Sequence, residues 1–134
     1  MTIPERPSRA HHITLTVSDL DRSVEWYQRV LGPASLTSRS GEGWQRVRMS
    51  WPDGLILGVT AHDGTEADAT FDETHISLDH LGLECMSEQD VRAWACHLDD
   101  VQATRGPVES VAYGWAVTAR DPDGIAIEFF CPTP

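Results

Sequence analysis

From residue 12 the chain alternates. Ile13, Leu15 and Val17 are apolar, and His12, Thr14 and Thr16 between them are polar. A period of two over this length predicts a strand buried on one face. Ser18-x-x-Asp21 then reads as a capping box, and Leu20, Val24, Tyr27 and Leu31 fall at helical spacing until Gly32 stops the helix. Two strands follow, near residues 35–40 and 43–51. The turn Pro52-Asp53-Gly54 leads into a strand at 55–60 whose apolar side is Leu55, Leu57 and Val59.

The pattern then starts again. A strand at 78–85 precedes a second capping box, Ser87-x-x-Asp90, and a helix that turns Val91, Trp94, Ala95 and Leu98 inward. Strands near 108–112 and 114–120 lead to Pro122-Asp123-Gly124 and a last strand at 125–131. His80 stands 68 residues after His12; Val91, Trp94 and Leu98 stand 67 after Val24, Tyr27 and Leu31; the second turn stands 70 after the first. So small a drift means two copies of one βαβββ unit, at 11–62 and 78–131, with an acidic joint at 63–77 that carries no clear period. Units of this size are too small to stand alone comfortably, so they pack together or exchange with a second copy. The architecture expected for residues 1–134 is one α+β domain: a cupped, mostly antiparallel sheet with helices on its outer face.

Composition narrows the partners. The net charge of -11 argues against nucleic acid and anionic membrane. There is no lysine, and all ten positive charges are arginine. No apolar run reaches 18 residues, and residues 1–10 lack the apolar stretch of a signal peptide. The three cysteines, Cys85, Cys96 and Cys131, are odd in number and lack metal-binding spacing, which suits reduced thiols and a cytoplasmic setting.

Strand parity selects a constellation. His12 alternates against Ile13, Leu15 and Val17; His80 against Leu81, Leu83 and Cys85; Glu128 against Ile125, Ile127 and Phe129. All three polar groups are therefore expected on the sheet face opposite the helices. Two imidazoles and a carboxylate converging there form a three-ligand site for a divalent first-row metal, with positions open to substrate or oxygen. Glu128 has Gly58 as its counterpart in the first unit, and a glycine supplies no ligand atom.

The chain resembles the vicinal oxygen chelate superfamily of glyoxalases, bleomycin-resistance proteins, extradiol dioxygenases, methylmalonyl-CoA epimerase and fosfomycin-resistance transferases. The resemblance spans residues 11–131. It rests on the run from His12 to Asp21 with Trp26-Tyr27 and Leu31-Gly32, on residues 78–83, and on Gly114-Trp115 together with residues 121–129. It implies metal ligands at His12, His80 and Glu128, and an ion such as Fe(II), Mn(II), Zn(II) or Ni(II). The superfamily's fourth ligand falls on Gly58, which argues against glyoxalase or epimerase proton transfer and favours oxygenase-type chemistry. The lysine that the transferases use for a phosphonate has no equivalent here. Members of this length usually pair, so a homodimer is expected; the residues leave open whether each cup closes within one chain or across the pair.

The remaining candidates are substrate contacts. Trp44, Trp51 and Trp115 are either ordinary sheet packing or walls of the cup around a planar apolar ligand. Arg48, with Arg46 beside it, meets an anionic substrate or lines a solvated edge. Tyr113 and His75 are the loosely placed acid/base candidates. Trp26 and Trp94 read as core or interface. The function expected is a metal-dependent oxidoreductase or lyase of this superfamily, dioxygenase-like or glyoxalase-like, acting on a small oxygenated molecule, aromatic ones included. The alternative is a metal-free protein that sequesters an antibiotic or another small molecule.

Overall fold

A computed structural model describes residues 2–66 and 68–134. The first unit comprises β1 (Ile13–Thr16), α1 (Leu20–Leu31), β2 (Ser35–Gly41), β3 (Trp44–Ser50) and β4 (Ile56–His62). The second comprises β5 (Leu81–Glu84), α2 (Glu88–Asp100), β6 (Thr104–Arg105), β7 (Glu109–Val111), β8 (Gly114–Arg120) and β9 (Ala126–Pro132). Each unit makes its own sheet. The first has the order β1-β4-β3-β2; the second has the order β5-β9-β8-β6, with β7 also on β8. The two outer pairs, β1 with β4 and β5 with β9, run parallel, and every other pairing is antiparallel. The two-residue β6 has no expectation in the sequence pattern, because two residues are too few to show a period.

Each helix lies across one face of its own sheet. Beneath α1 sit Leu15, Met49, Leu57 and Val59; beneath α2 sit Val117, Ile127 and Phe129, all buried. The α2 face is the expected one: Val91, Ala95 and Leu98 are buried, and Trp94 stacks on Phe129 with centroids 4.4 Å apart. The α1 face is rotated from expectation. Ser23, Trp26, Tyr27 and Val30 are buried, whereas Leu20, Val24 and Leu31 are only partly so. The cause is the second unit, which covers a further side of α1: His97 Nε2 lies 2.8 Å from the Val30 carbonyl, and Tyr27 reaches across to Asp121.

The same seam alters the helix cap. Asp19, not Ser18, caps α1 by accepting from the Arg22 N–H at 3.0 Å. Ser18 is engaged elsewhere, donating its N–H and its hydroxyl to the Asp123 carboxylate. In α2 Ser87 does cap, accepting from the Asp90 N–H at 3.1 Å. The second Pro-Asp-Gly turn is therefore a keystone. Asp121 Oδ1 accepts the N–H groups of Asp123 and Ile125, its Oδ2 accepts the Tyr27 hydroxyl at 2.8 Å, and the Asp123 carbonyl holds the Phe71 N–H of the joint. Burial pushes the Asp121 carboxyl above the usual carboxylate range, against the pull of those donors, and burial beside Asp121 raises the Tyr27 hydroxyl. The first turn carries no such load, since exposed Asp53 accepts only the Leu55 N–H. Among the described residues no helix is long and apolar enough to cross a membrane.

Candidate functional site

Register fixes what each sheet shows on the side away from its helix. In the first sheet Gly58 pairs with Thr14 on one flank and Arg48 on the other, and Thr60 pairs with Thr16 and Arg46. In the second, Glu128 pairs with Gly82 and Thr118. These residues alternate with the buried apolar set beneath the helices, so the polar faces of both sheets lie opposite α1 and α2.

On the second polar face two of the three expected ligands meet. His80, one residue before β5, places Nε2 3.8 Å from Glu128 Oε1. Its other ring nitrogen, Nδ1, donates to Asp79 Oδ1 at 2.6 Å, which fixes the tautomer and turns Nε2 toward Glu128. Gly82 opposite leaves room beside the carboxylate; a Cβ there would still stand 3.8 Å from Oε1. With metal–donor bonds of about 2.0–2.2 Å, two donors on one cation stand at most about 4.4 Å apart. The 3.8 Å gap is within that reach. His12 is not part of this group. It lies just before β1 on the other sheet, exposed, with Nδ1 2.9 Å from His11 Nδ1. Among the described residues no three of His, Cys, Asp and Glu stand together closely enough to hold a metal ion. Within one chain the expected triad is thus a pair that His12 does not join.

Gly58 is not open space. A Cβ added there would meet Thr14 Oγ1 at 3.0 Å and Thr14 Cγ2 at 3.2 Å, so a larger residue would need Thr14 to give way. The two units have made opposite choices at the same paired positions: threonine facing glycine in the first, glycine facing glutamate in the second.

The aromatic candidates separate by parity. Trp44 shares its strand face with Arg46 and Arg48, and the Arg46 guanidinium lies 4.7 Å from its ring centroid. Trp115 shares its face with Val117 and Ala119, packs against the core, and lies under Arg92 of α2. Trp51 continues the core face of Met49 and donates Nε1–H to the Gly32 carbonyl at 3.0 Å. Neither Trp51 nor Trp115 walls the polar face; both are on the helix side, as counting in twos from Met49 and Val117 dictates. The aromatic ring that does flank Glu128 is Phe130, two residues on along β9. Exposed Tyr113, at the β7–β8 turn, tilts onto Phe130 with centroids 5.8 Å apart. Phe130 and Asp79 are absent from the candidates above, though each is marked in the sequence: one by its parity with Glu128, the other as a carboxylate beside a candidate histidine.

The other titratable groups have simpler places. His75 pairs with Asp72 in the exposed joint, and His97 joins the two helices. Trp26 is buried and Trp94 lines the seam, as expected of core residues. The cysteines are free; burial pushes the Cys85 thiol up to about 11, with Asp90 and Cys131 adding to it, while Cys96 is exposed.

Comparison with known proteins places this geometry. The model of the Glyoxalase/Bleomycin resistance protein/Dioxygenase superfamily matches residues 9–129. A glyoxylase/bleomycin resistance protein/dioxygenase domain from Frankia sp. EAN1pec superimposes with a TM-score of 0.87 at 32% identity, over 96% of this chain and 100% of that one. A lactoylglutathione lyase from Pseudomonas putida is 26% identical over 157 residues, covering 92% of this chain and 85% of that protein. A fosfomycin resistance protein, FosX, from Listeria monocytogenes, in complex with Mn(II) and 1S,2S-dihydroxypropylphosphonic acid, shares the fold at a TM-score of 0.67 and 19% identity, over 96% of this chain and 93% of that one. Two repeated βαβββ units with paired polar faces, matched along nearly their whole length, make this chain a member of the glyoxalase/bleomycin resistance protein/dioxygenase superfamily, the vicinal oxygen chelate fold.

Proposed function

We propose that this chain is a metal-dependent enzyme acting on a small oxygenated substrate, its centre formed by His80 and Glu128 of one copy and His12 of a second copy. The observation that carries the reading is the His80–Glu128 pair, with Nε2 and Oε1 3.8 Å apart and Asp79 holding the imidazole from behind. A histidine clamped by a carboxylate on its far nitrogen is the arrangement that orients metal-binding imidazoles. Such an ion would supply Lewis-acid stabilisation of negative charge developing on substrate oxygens.

A second copy supplies His12 for topological reasons. β1 and β5 are each an outer edge of their sheet, and each is immediately preceded by its histidine. Edges with unpaired backbone groups are natural places for two chains to meet. Gly58 supplies no fourth ligand atom, and a side chain there would crowd Thr14, so this reading uses three. A three-ligand centre favours oxygenase-type chemistry over proton transfer between two protein carboxylates, even though a lactoylglutathione lyase is among the relatives.

The test is elemental analysis of protein purified without chelator. About one equivalent of divalent metal per chain is expected, lost in His12→Ala, His80→Ala and Glu128→Ala, and held about 10–100-fold more weakly in Asp79→Asn. Metal that persists in both His80→Ala and Glu128→Ala would place the centre elsewhere; a wild-type protein that takes up none would favour sequestration without catalysis.

A further inference from the structure

The first sheet's polar face holds an imbalance that the metal site does not explain. Acidic residues outnumber basic ones 21 to 10. Arg22, Arg29, Arg92, Arg105 and Arg120 each pair with a carboxylate. Arg6 and Arg9 in the exposed lead-in do not, nor do Arg39, Arg46 and Arg48 on the sheet: among the described residues no carboxylate oxygen comes within 4.0 Å of these three. All three occupy one face. Arg39 is directly opposite Arg46 across the β2–β3 ladder, and Arg48 follows two residues along, beside Gly58. Like charges directly opposite one another on a sheet are destabilising. A chain with a surplus of carboxylates has left this cluster without one.

One of the three is also placed rather than loose. Arg46 Nε donates to Thr60 Oγ1 at 2.8 Å, and its guanidinium lies over Trp44. Its terminal nitrogens make no hydrogen bond among the described residues. Arg48 is partly buried. A guanidinium held by its inner nitrogen and by a ring face presents its outer fork to a planar anion, with little ordering left to do on binding.

We infer that Arg46 and Arg48, assisted by Arg39, form an anion subsite for a substrate that carries a carboxylate, phosphate or phosphonate group. The inference rests on the reading above, because it makes this face one wall of the same cup. Adjacent strands stand about 4.8 Å apart, so Arg48 is about 10 Å across the sheet from Thr14, which lies two residues beyond His12. An arginine side chain and a small molecule together span that distance. The substrate class is therefore a small oxygenated acid: oxygens toward the histidines and Glu128, anion toward the arginines.

The experiment is isothermal titration of chelator-treated full-length protein with glycolate, methylphosphonate and the neutral glycolamide. Removing the metal separates this subsite from the metal centre. Wild type is expected to bind the two anions and not the amide, more weakly as salt rises. Arg48→Ala and Arg48→Gln should each weaken anion binding about tenfold to a hundredfold, with Arg48→Lys between them and wild type. Arg29→Ala, on α1 and paired with Glu25, should match wild type. Preference between glycolate and methylphosphonate assigns the anion as carboxylate or phosphonate. Anion binding that is absent, or equal in wild type, Arg48→Gln and the Arg46→Ala/Arg48→Ala double variant, overturns the subsite. Metal content measured on the same variants reads the metal centre separately, so either can fail without the other.

Discussion

Asp121 shows what a single buried carboxylate does at the meeting of two units. It accepts three hydrogen bonds, from the Tyr27 hydroxyl and from the N–H groups of Asp123 and Ile125, yet burial still raises its pKa above the ordinary value. The folded state therefore holds the Asp121 proton more tightly than the unfolded chain does. That contribution to stability is fully present below the unfolded pKa of 3.8 and is lost as pH rises through the folded value. Each unit of difference is about 1.4 kcal/mol. Asp121→Asn removes this titration. Denaturant unfolding of both proteins at pH 4 and pH 7 should show wild type losing ground to Asp121→Asn at the higher pH; an equal difference at both pH values would mean that the carboxyl is not shifted. The comparison is between proteins because Asp72, Glu73 and Asp99, all lowered by their hydrogen-bond partners, push the absolute stability the opposite way in acid.

At the level of strands and helices, the repeat explains both what the sequence disclosed and what it hid. Alternation from Ile13 and again from Leu81, the helical spacing of Val91, Ala95 and Leu98, and the two Pro-Asp-Gly turns are local signals, and each produced the expected element. The α1 cap and the α1 buried face were not legible, because Asp123 and Asp121, about 100 residues away in the chain, decide them. His80 and Glu128 were legible as a pair because parity is a property of one strand at a time. The sides taken by Trp51 and Trp115 were equally open to that counting. The pairing of Thr14 with Gly58 needed register across two strands, which no single-strand pattern contains. It makes a prediction. Gly58→Glu alone should be destabilised by the close approach to Thr14, by about 1–3 kcal/mol. Thr14→Gly/Gly58→Glu, which copies the Gly82–Glu128 arrangement, should recover most of that loss. Equal stability of the single and double variants in urea titrations would show that Thr14 is not the obstacle.

For the whole molecule the decisive fact is that one core spans both units while each unit keeps its own sheet, and among the described residues no three metal-binding side chains of one chain come together. The contacts of Ser18 with Asp123, Tyr27 with Asp121 and His97 with Val30 tie the two units together, and on the proposal above the third ligand comes from a second copy. Mixing variants reads this directly. If each centre draws on two copies, a heterodimer of a His12→Ala chain and a Glu128→Ala chain keeps one intact centre of its two and should bind about half the metal of wild type, although neither variant binds alone. Centres closed within single chains would give no recovery on mixing.

The two Pro-Asp-Gly turns began as equals in the repeat and now live under different rules. The second anchors a helix start, a tyrosine and the joint; the first holds little beyond its own backbone. Insertions and grafted loops therefore have an outlet at residues 52–54 and almost none at 122–124.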